Sequence, residues 1–309
     1  MKTAFLFSGQ GAQYVGMGKE LKEQYACAKE LFQRADDALG FSLSNICFEQ
    51  EAELNKTEFT QPAILTMSMA ALACLSENGI SADYVAGLSL GEYSALTASG
   101  VFDFEDAVRL VQKRGRFMTE AVPEGQGSMY AVIGMEREEV EDICKKCQQY
   151  GFVAPANYNA PGQIVIAGEA QAAEKAAALA KETGAKIVSK LNVSGPFHTA
   201  LLEPASKKLA EELKKLKLHN MNIPVITNVT GKEVENSEEI IPLLIKQVMS
   251  PVRWEETILT LSQRGVDTFV EIGPGKTLSG FVKRTIKGAA ILNVENQKTL
   301  EKALEKLLG

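Results

Sequence analysis

The sequence predicts an α/β core on a parallel sheet, interrupted once by a small α+β domain of ferredoxin-like order. Three observations carry this. Apolar runs of strand type alternate with helical periodicity through most of the 309 residues, the pattern of parallel strands joined by crossover helices. Between 128 and 193 the alternation gives way to β-α-β-β-α-β, a unit that closes on itself within roughly 70 residues. At 84–96 an apolar run leads into Gly87-Leu88-Ser89-Leu90-Gly91 and then a helix start. That is the strand, sharp turn and helix expected of a G-x-S-x-G elbow.

Taken in order, Ala4 to Phe7 is a first buried strand ending in the glycine-rich Ser8-Gly9-Gln10-Gly11-Ala12-Gln13. Helical periodicity follows at 19–39 and 61–78, then the elbow, then a helix over 104–121. Pro123-Glu124-Gly125-Gln126-Gly127 breaks the pattern. The small domain reads as strand 128–133, helix 137–150, strands 152–157 and 163–167 about the turn Asn159-Ala160-Pro161-Gly162, alanine-rich helix 169–183 and strand 186–193. Ser194-Gly195-Pro196 marks the return, which sets the core at 1–125 plus 195–309 and the insertion at 126–194. The rest of the core is helix 203–216, strand 225–228, helices 238–248 and 254–264, strand 268–272 and a closing strand and helix.

Composition is that of an ordinary globular chain, 45% hydrophobic and 23% charged. The net charge of −6 and pI of about 5.3, with no strong basic run, argue against a nucleic-acid partner. Lysines at 207–217 alternate with Glu211-Glu212 as on a solvated helix face. No uninterrupted apolar run approaches 18 residues, and the N-terminal apolar run is too short for a signal peptide. A soluble, cytoplasmic protein without a membrane partner is expected. Five scattered cysteines argue against a disulfide framework. Cys144-Lys-Lys-Cys147 falls inside helical periodicity with no second pair, and the chain has two histidines, so neither a metal site nor a redox pair is expected.

Ser89 admits two readings. In the elbow it is a nucleophile, with the N–H groups of the following helix aimed at developing negative charge. Ser89-x-x-Glu92 also fits a helix capping box. A nucleophilic serine needs a base, and only His198 and His219 are available. His219 follows a lysine-rich helix and reads as a surface turn residue. His198 lies where the insertion rejoins the core, a place for a cleft wall; the alternative is a buried histidine bonded to backbone. No acid between Ser89 and His198 stands out as a third member. Both glycine loops fail as nucleotide sites: Tyr14 replaces the third glycine of G-x-G-x-x-G, and Val270 stands where a P-loop ending at Gly275-Lys276-Thr277 needs its first glycine.

Several separated segments then agree. Phe7-Ser8-Gly9-Gln10-Gly11-Ala12-Gln13, Thr60-Gln61-Pro62-Ala63, Gly87 to Glu92, Arg114-Gly115-Arg116-Phe117-Met118, Asn157 to Gln163, Gly195-Pro196-Phe197-His198-Thr199, Gln247 to Trp254 and Glu271-Ile272-Gly273-Pro274-Gly275 occur in one order along the whole chain. Together they resemble the malonyl-CoA:acyl-carrier-protein transacylases, the acyltransferase family of fatty-acid and polyketide synthesis. The resemblance implies a hydrolase-type core with the inserted ferredoxin-like domain, and a two-step malonyl transfer in fatty-acid synthesis. Ser89 would become O-malonylated. His198 would take its proton, oriented by the backbone carbonyl of Gln247. Gln10 and the N–H of Leu90 would form the oxyanion hole.

Arg114 would clamp the malonyl carboxylate through paired hydrogen bonds that lysine cannot copy; without the motif it would read as a solvated helix residue. Phe197 would crowd an α-methyl group, and Asn159 and Gln163 would line the cleft near the CoA arm. No cofactor is implied, since CoA arrives as part of the substrate. The implied partners are malonyl-CoA and acyl carrier protein, with the enzyme a monomer. Carrier proteins are acidic, so Lys186, Lys190, Lys276, Lys283 and Arg284 are candidates for steering them. Two positions depart from the family pattern: Leu88 replaces a frequent histidine, and Ser8 a proline. The rivals are a serine thioesterase or esterase, which has no need of Arg114, and a binding protein with a silent site.

Overall fold

The first strand, β1 (Thr3–Phe7), is buried at every residue, and its neighbours explain why. The computed structural model describes residues 2–309. The chain passes from β1 to β2 (Tyr84–Gly87), leaves for β3 (Gly127–Ile133), β4 (Val153–Ala160), β5 (Gln163–Glu169) and β6 (Ile187–Lys190), and returns through β7 (Val225–Ile226). It then forms β8 (Val252–Arg253), β9 (Thr268–Ile272) and β10 (Ala290–Val294). The core sheet has the order β10-β9-β1-β2-β7, parallel throughout. As its middle strand, β1 is covered on both faces. Phe5 and Phe7 enter one apolar cluster with the helices Ala26–Leu39 and Thr57–Ser76, while Ala4 and Leu6 enter another with Trp254 and Phe269. A strand buried on both faces has no polar alternation to show.

The small sheet has the order β6-β3-β5-β4-β8. Its first four strands are antiparallel in the ferredoxin-like arrangement, with the helices Arg137–Cys147 and Ala170–Glu182 packed on it. The fifth strand was not foreseen. β8 comes from the core segment and pairs parallel with β4, Asn157 with Val252 and Tyr158 with Arg253. Two residues leave no periodic signature in a sequence.

Other boundaries move for local reasons. The helix expected over 19–39 is two, Lys19–Gln24 and Ala26–Leu39, because Tyr25 is extended (φ −119°, ψ 125°). β4 runs on to Ala160, so the hairpin turns at Pro161-Gly162 and Asn159 is a strand residue, not a turn residue. The helix Thr57–Ser76 is, among the described residues, the one long and apolar enough to cross a membrane, a composition that counting uninterrupted apolar residues overlooked; here it fills the core.

The elbow glycines answer to close approach. A Cβ on Gly87 would strike the backbone of Gly91, and one on Gly91 would strike the carbonyl of Phe7 at the end of β1. The helix Leu90–Ala98 therefore sits directly on the strand ends. Gly91→Ala is expected to lower stability by about 1–3 kcal/mol through overpacking. Helix propensity alone favours alanine by roughly 1 kcal/mol. The midpoint of urea unfolding settles the sign: a stabilised variant would mean the approach is not tight.

Candidate active site

Among the described residues, the non-glycine residues with positive φ are Ser89 (54°) and His198 (61°). Such backbone strain persists only where the surroundings enforce it, and here the two strained residues meet. Ser89 Oγ lies 2.7 Å from His198 Nε2, and His198 Nδ1 lies 2.9 Å from the carbonyl oxygen of Gln247. A carbonyl only accepts, so Nδ1 carries the proton and Nε2 presents its lone pair to the serine hydroxyl. The dyad is thus poised with a neutral base, and its orienter is a backbone group, which is why no acid stood out in the sequence.

Burial, aided by the nearby Arg114 cation, pushes the His198 pKa down from 6.5 to about 4. A lowered pKa keeps the base neutral until the pH falls to that value. The acid limb of kcat/KM for the free enzyme should therefore fall near pH 4, measured with a thioester substrate. A limb near the ordinary histidine value of 6.5 would contradict this environment.

The elbow is held from three sides. The Ser89 N–H donates to Asn228 Oδ1 (2.6 Å), Asn228 Nδ2 donates to the Gly87 carbonyl (2.7 Å), and Gln247 Nε2 donates to the Ser89 carbonyl (2.9 Å). One carboxylate oxygen, Glu92 Oε2, accepts from both the Asn228 N–H (2.9 Å) and Gln247 Nε2 (3.0 Å). The Ser89 side chain makes no capping bond to its helix. The capping-box reading of Ser89-x-x-Glu92 is therefore not realised: the hydroxyl faces His198 and the carboxylate faces Asn228 and Gln247.

Arg114 stands on the apolar face of the helix Phe104–Ala121 and is 1% exposed, not solvated. Its Nη1 donates to Gln61 Oε1 (2.8 Å), and its Nη2 to Gln247 Oε1 (3.0 Å) and Ser89 Oγ (3.1 Å). The guanidinium lies 5.0 Å from the Tyr93 ring centroid, a cation–π contact, and its Nε has no partner. Burial lowers its pKa, but a guanidinium stays charged in proteins. A fixed cation with an unused donor thus lies beside the serine hydroxyl.

A cavity of about 290 Å³ opens above this group between the core and the small sheet, walled by Gln10, Leu88, Ser89, Asn159, Gln163, Phe197 and His198 among others. Phe197 joins Met118, Met129 and Val165 in its apolar wall. Asn159 is buried with Oδ1 unpartnered. Leu88 sets an apolar surface where the family pattern expects histidine. Arg114 is behind Ser89 rather than on the wall. Gln10 turns its side chain to Thr57 Oγ1 (3.1 Å). Leu90 is the first residue of its helix, so its N–H has no acceptor within the helix.

His219 is partly exposed beside Asp103, away from this group. All five basic candidates, Lys186, Lys190, Lys276, Lys283 and Arg284, are exposed, and Lys190 borders a second opening together with Gln10. Sequence reasoning gave no role to Asn228, Gln61 or Tyr93, and to Glu92 only that of a capping-box residue. Gln61 and Glu92 lay inside motifs already quoted. Asn228 lay in none, and only the fold brings it beside residue 89.

Residues 4–303 match the family model described as "Acyl transferase domain". The malonyl CoA-acyl carrier protein transacylase of Bacillus subtilis (strain 168) is 49% identical over 308 residues, covering 99% of this chain and 97% of that protein. The crystal structure of the transacylase of the same name from Clostridium perfringens Atcc 13124 superposes with a TM-score of 0.96 at 52% identity, covering 100% of this chain and 98% of the other. A solved malonyl-transacylase in complex with a type II PKS acyl-carrier protein gives a TM-score of 0.96 at 42% identity, covering 99% and 100% of the two chains.

Proposed function

The chain belongs to the acyl transferase domain family, and from that premise we propose that it moves malonyl groups from malonyl-CoA to the phosphopantetheine thiol of acyl carrier protein, in fatty-acid synthesis. The observation that carries this reading is Ser89 Oγ lying within hydrogen-bond reach of both a neutral His198 and the buried Arg114. Nucleophile, base and carboxylate-binding cation then share one point.

In the first half-reaction Ser89 Oγ attacks the thioester carbon while its proton passes to His198 Nε2. The Gln247 carbonyl holds the Nδ1 proton and so steadies the imidazolium that forms. Gln10 and the Leu90 N–H receive the oxyanion. The carbon–sulfur bond breaks, and the CoA sulfur leaves with the proton from Nε2. In the second half the carrier-protein thiol gives its proton to His198 and attacks the malonyl ester, and Ser89 leaves reprotonated. Arg114 holds the malonyl carboxylate throughout, Phe197 bounds the acyl pocket, and Asn159 and Gln163 line the path of the pantetheine arm.

Coenzyme A enters as part of the substrate, and no resident cofactor or metal takes part. The enzyme acts as a monomer in this reading. The five free thiols support a reducing compartment such as the cytoplasm. The division is a core of 1–125 and 195–309 with an insertion of 126–194. Intact mass after brief exposure to malonyl-CoA tests the reading: a malonyl adduct on Ser89 that discharges onto added carrier protein is expected. Free malonate without an adduct would instead make the protein a thioesterase.

A further inference from the structure

Glu92 is buried completely and is not one of the residues that wall the cavity. Its Oε2 ties down the two residues that hold the elbow, Asn228 and Gln247. Its Oε1 has no partner. The Gln247 carboxamide lies between it and Arg114, accepting from the guanidinium at Oε1 and donating to the carboxylate from Nε2. An amide placed so has its oxygen toward the cation and its N–H toward the anion, so both charges orient it.

The empty group encloses one charge of each sign. Arg114 is a buried cation, and Glu92 is the carboxylate joined to it. A malonyl group brings a second carboxylate to the same cation. Two buried carboxylates sharing one guanidinium repel each other across a site with little water, and one of them is expected to protonate. The substrate carboxylate makes direct hydrogen bonds that favour its ionised form. Glu92 touches Arg114 only through Gln247 and has a vacant oxygen to take a proton without breaking either accepted bond.

Resting on the malonyl reading above, we infer that Glu92 is a positioning residue that serves as the counter-charge of Arg114 in the empty site and takes up a proton from solvent when a malonyl carboxylate docks there. The groups facing it fit this. Burial pushes its pKa up to about 7, with the bonds from Asn228 and Gln247 and the charge of Arg114 opposing. Arg114, from the helix Phe104–Ala121, is the charged side chain acting on it; Tyr93 on its own helix stays neutral, its pKa raised to about 12 chiefly by burial, and His198 across Ser89 is neutral too. A second anion nearby raises the Glu92 pKa further. Proton uptake on binding therefore occurs above pH 7 and fades below it, where the empty site already holds the proton. The affinity for malonyl-CoA falls as pH rises above 7, by up to about tenfold per pH unit.

The test is calorimetry on the full chain carrying Ser89→Ala, which binds malonyl-CoA without acylation. Titrations at pH 8 in two buffers of different ionisation enthalpy, with CoA alone as the reference, give the protons taken up. Uptake approaching about one proton per malonyl-CoA above the CoA reference is expected. Adding Glu92→Gln, which keeps an acceptor for Asn228 and Gln247 but cannot ionise, should abolish the uptake and flatten the pH dependence of affinity. Malonyl-CoA binding without proton uptake overturns this inference and leaves the malonyl transfer standing. Uptake that survives Glu92→Gln in a folded variant assigns the proton elsewhere and also overturns it. No malonyl-CoA binding at all overturns the transfer reading itself.

Discussion

Ser89→Ala abolishes malonyl transfer, with kcat falling on the order of 10⁴–10⁶-fold, the range seen when a serine nucleophile is removed from an activated dyad. His198→Ala is expected to cost a similar factor, because an unactivated hydroxyl is a poor nucleophile. The double variant should be no worse than either single one, since the two side chains act as one unit through their 2.7 Å hydrogen bond. Both variants should fold. Removing the hydroxyl takes one acceptor from Arg114, which keeps Gln61 and Gln247, and the elbow is held by Asn228 and Gln247 through the Ser89 backbone. The measurement is transfer of labelled malonyl to carrier protein, with a melting curve for each variant. A folded Ser89→Ala enzyme within tenfold of the parent would remove Ser89 from the chemistry.

Arg114→Ala reverses acyl preference. Truncating one partner of a buried, hydrogen-bonded charge pair costs about 2–5 kcal/mol, and each 1.4 kcal/mol is tenfold in rate. The kcat/KM for malonyl-CoA should therefore fall roughly 30- to 3,000-fold. Acetyl-CoA has no carboxylate to lose, so its kcat/KM should change less than about tenfold by the same arithmetic. The truncation strands Gln61 Oε1 and Gln247 Oε1, so some loss of stability is expected as well, and a melting curve separates the two effects. Arg114→Lys should not restore malonyl use, because one ammonium cannot serve Gln61, Gln247, Ser89 and a carboxylate with a planar fork. Equal losses for malonyl and acetyl substrates would show that Arg114 only supports the fold.

The sequence made most of the fold legible because the elements that matter are long or strongly marked. β1 is an unbroken apolar run from Ala4 to Phe7, and the helix Phe104–Ala121 has clear periodicity. What it hid was short or non-local. The break at Tyr25 is a single extended residue inside one helical pattern. β8 is two residues whose partner lies almost a hundred positions earlier. The candidate site divides in the same way. Ser89, His198 and Arg114 are chemically conspicuous and carry recognisable neighbours, and the structure gathers them with Gln247. Asn228 has no local signal, for its task depends on β7 ending beside β2. Glu92 was visible as a motif letter, but its burial and two donors exist only in three dimensions. Arg114 read alone as a surface residue, since nothing local tells a solvated arginine from one that Gln61, Gln247 and Tyr93 enclose.

The small sheet's fifth strand means that the two bodies cannot be dissected cleanly. Cutting at 126 and 194 would give a four-stranded fragment in which β4 keeps β5 but loses β8, leaving an open edge that templates self-association. The remaining core would lose the anchor of β8, which follows Gln247 by five residues along the chain. Chimeras that exchange the insertion between relatives should carry residues 247–254 with it, because the seam between the bodies passes through that segment and not through the linkers alone.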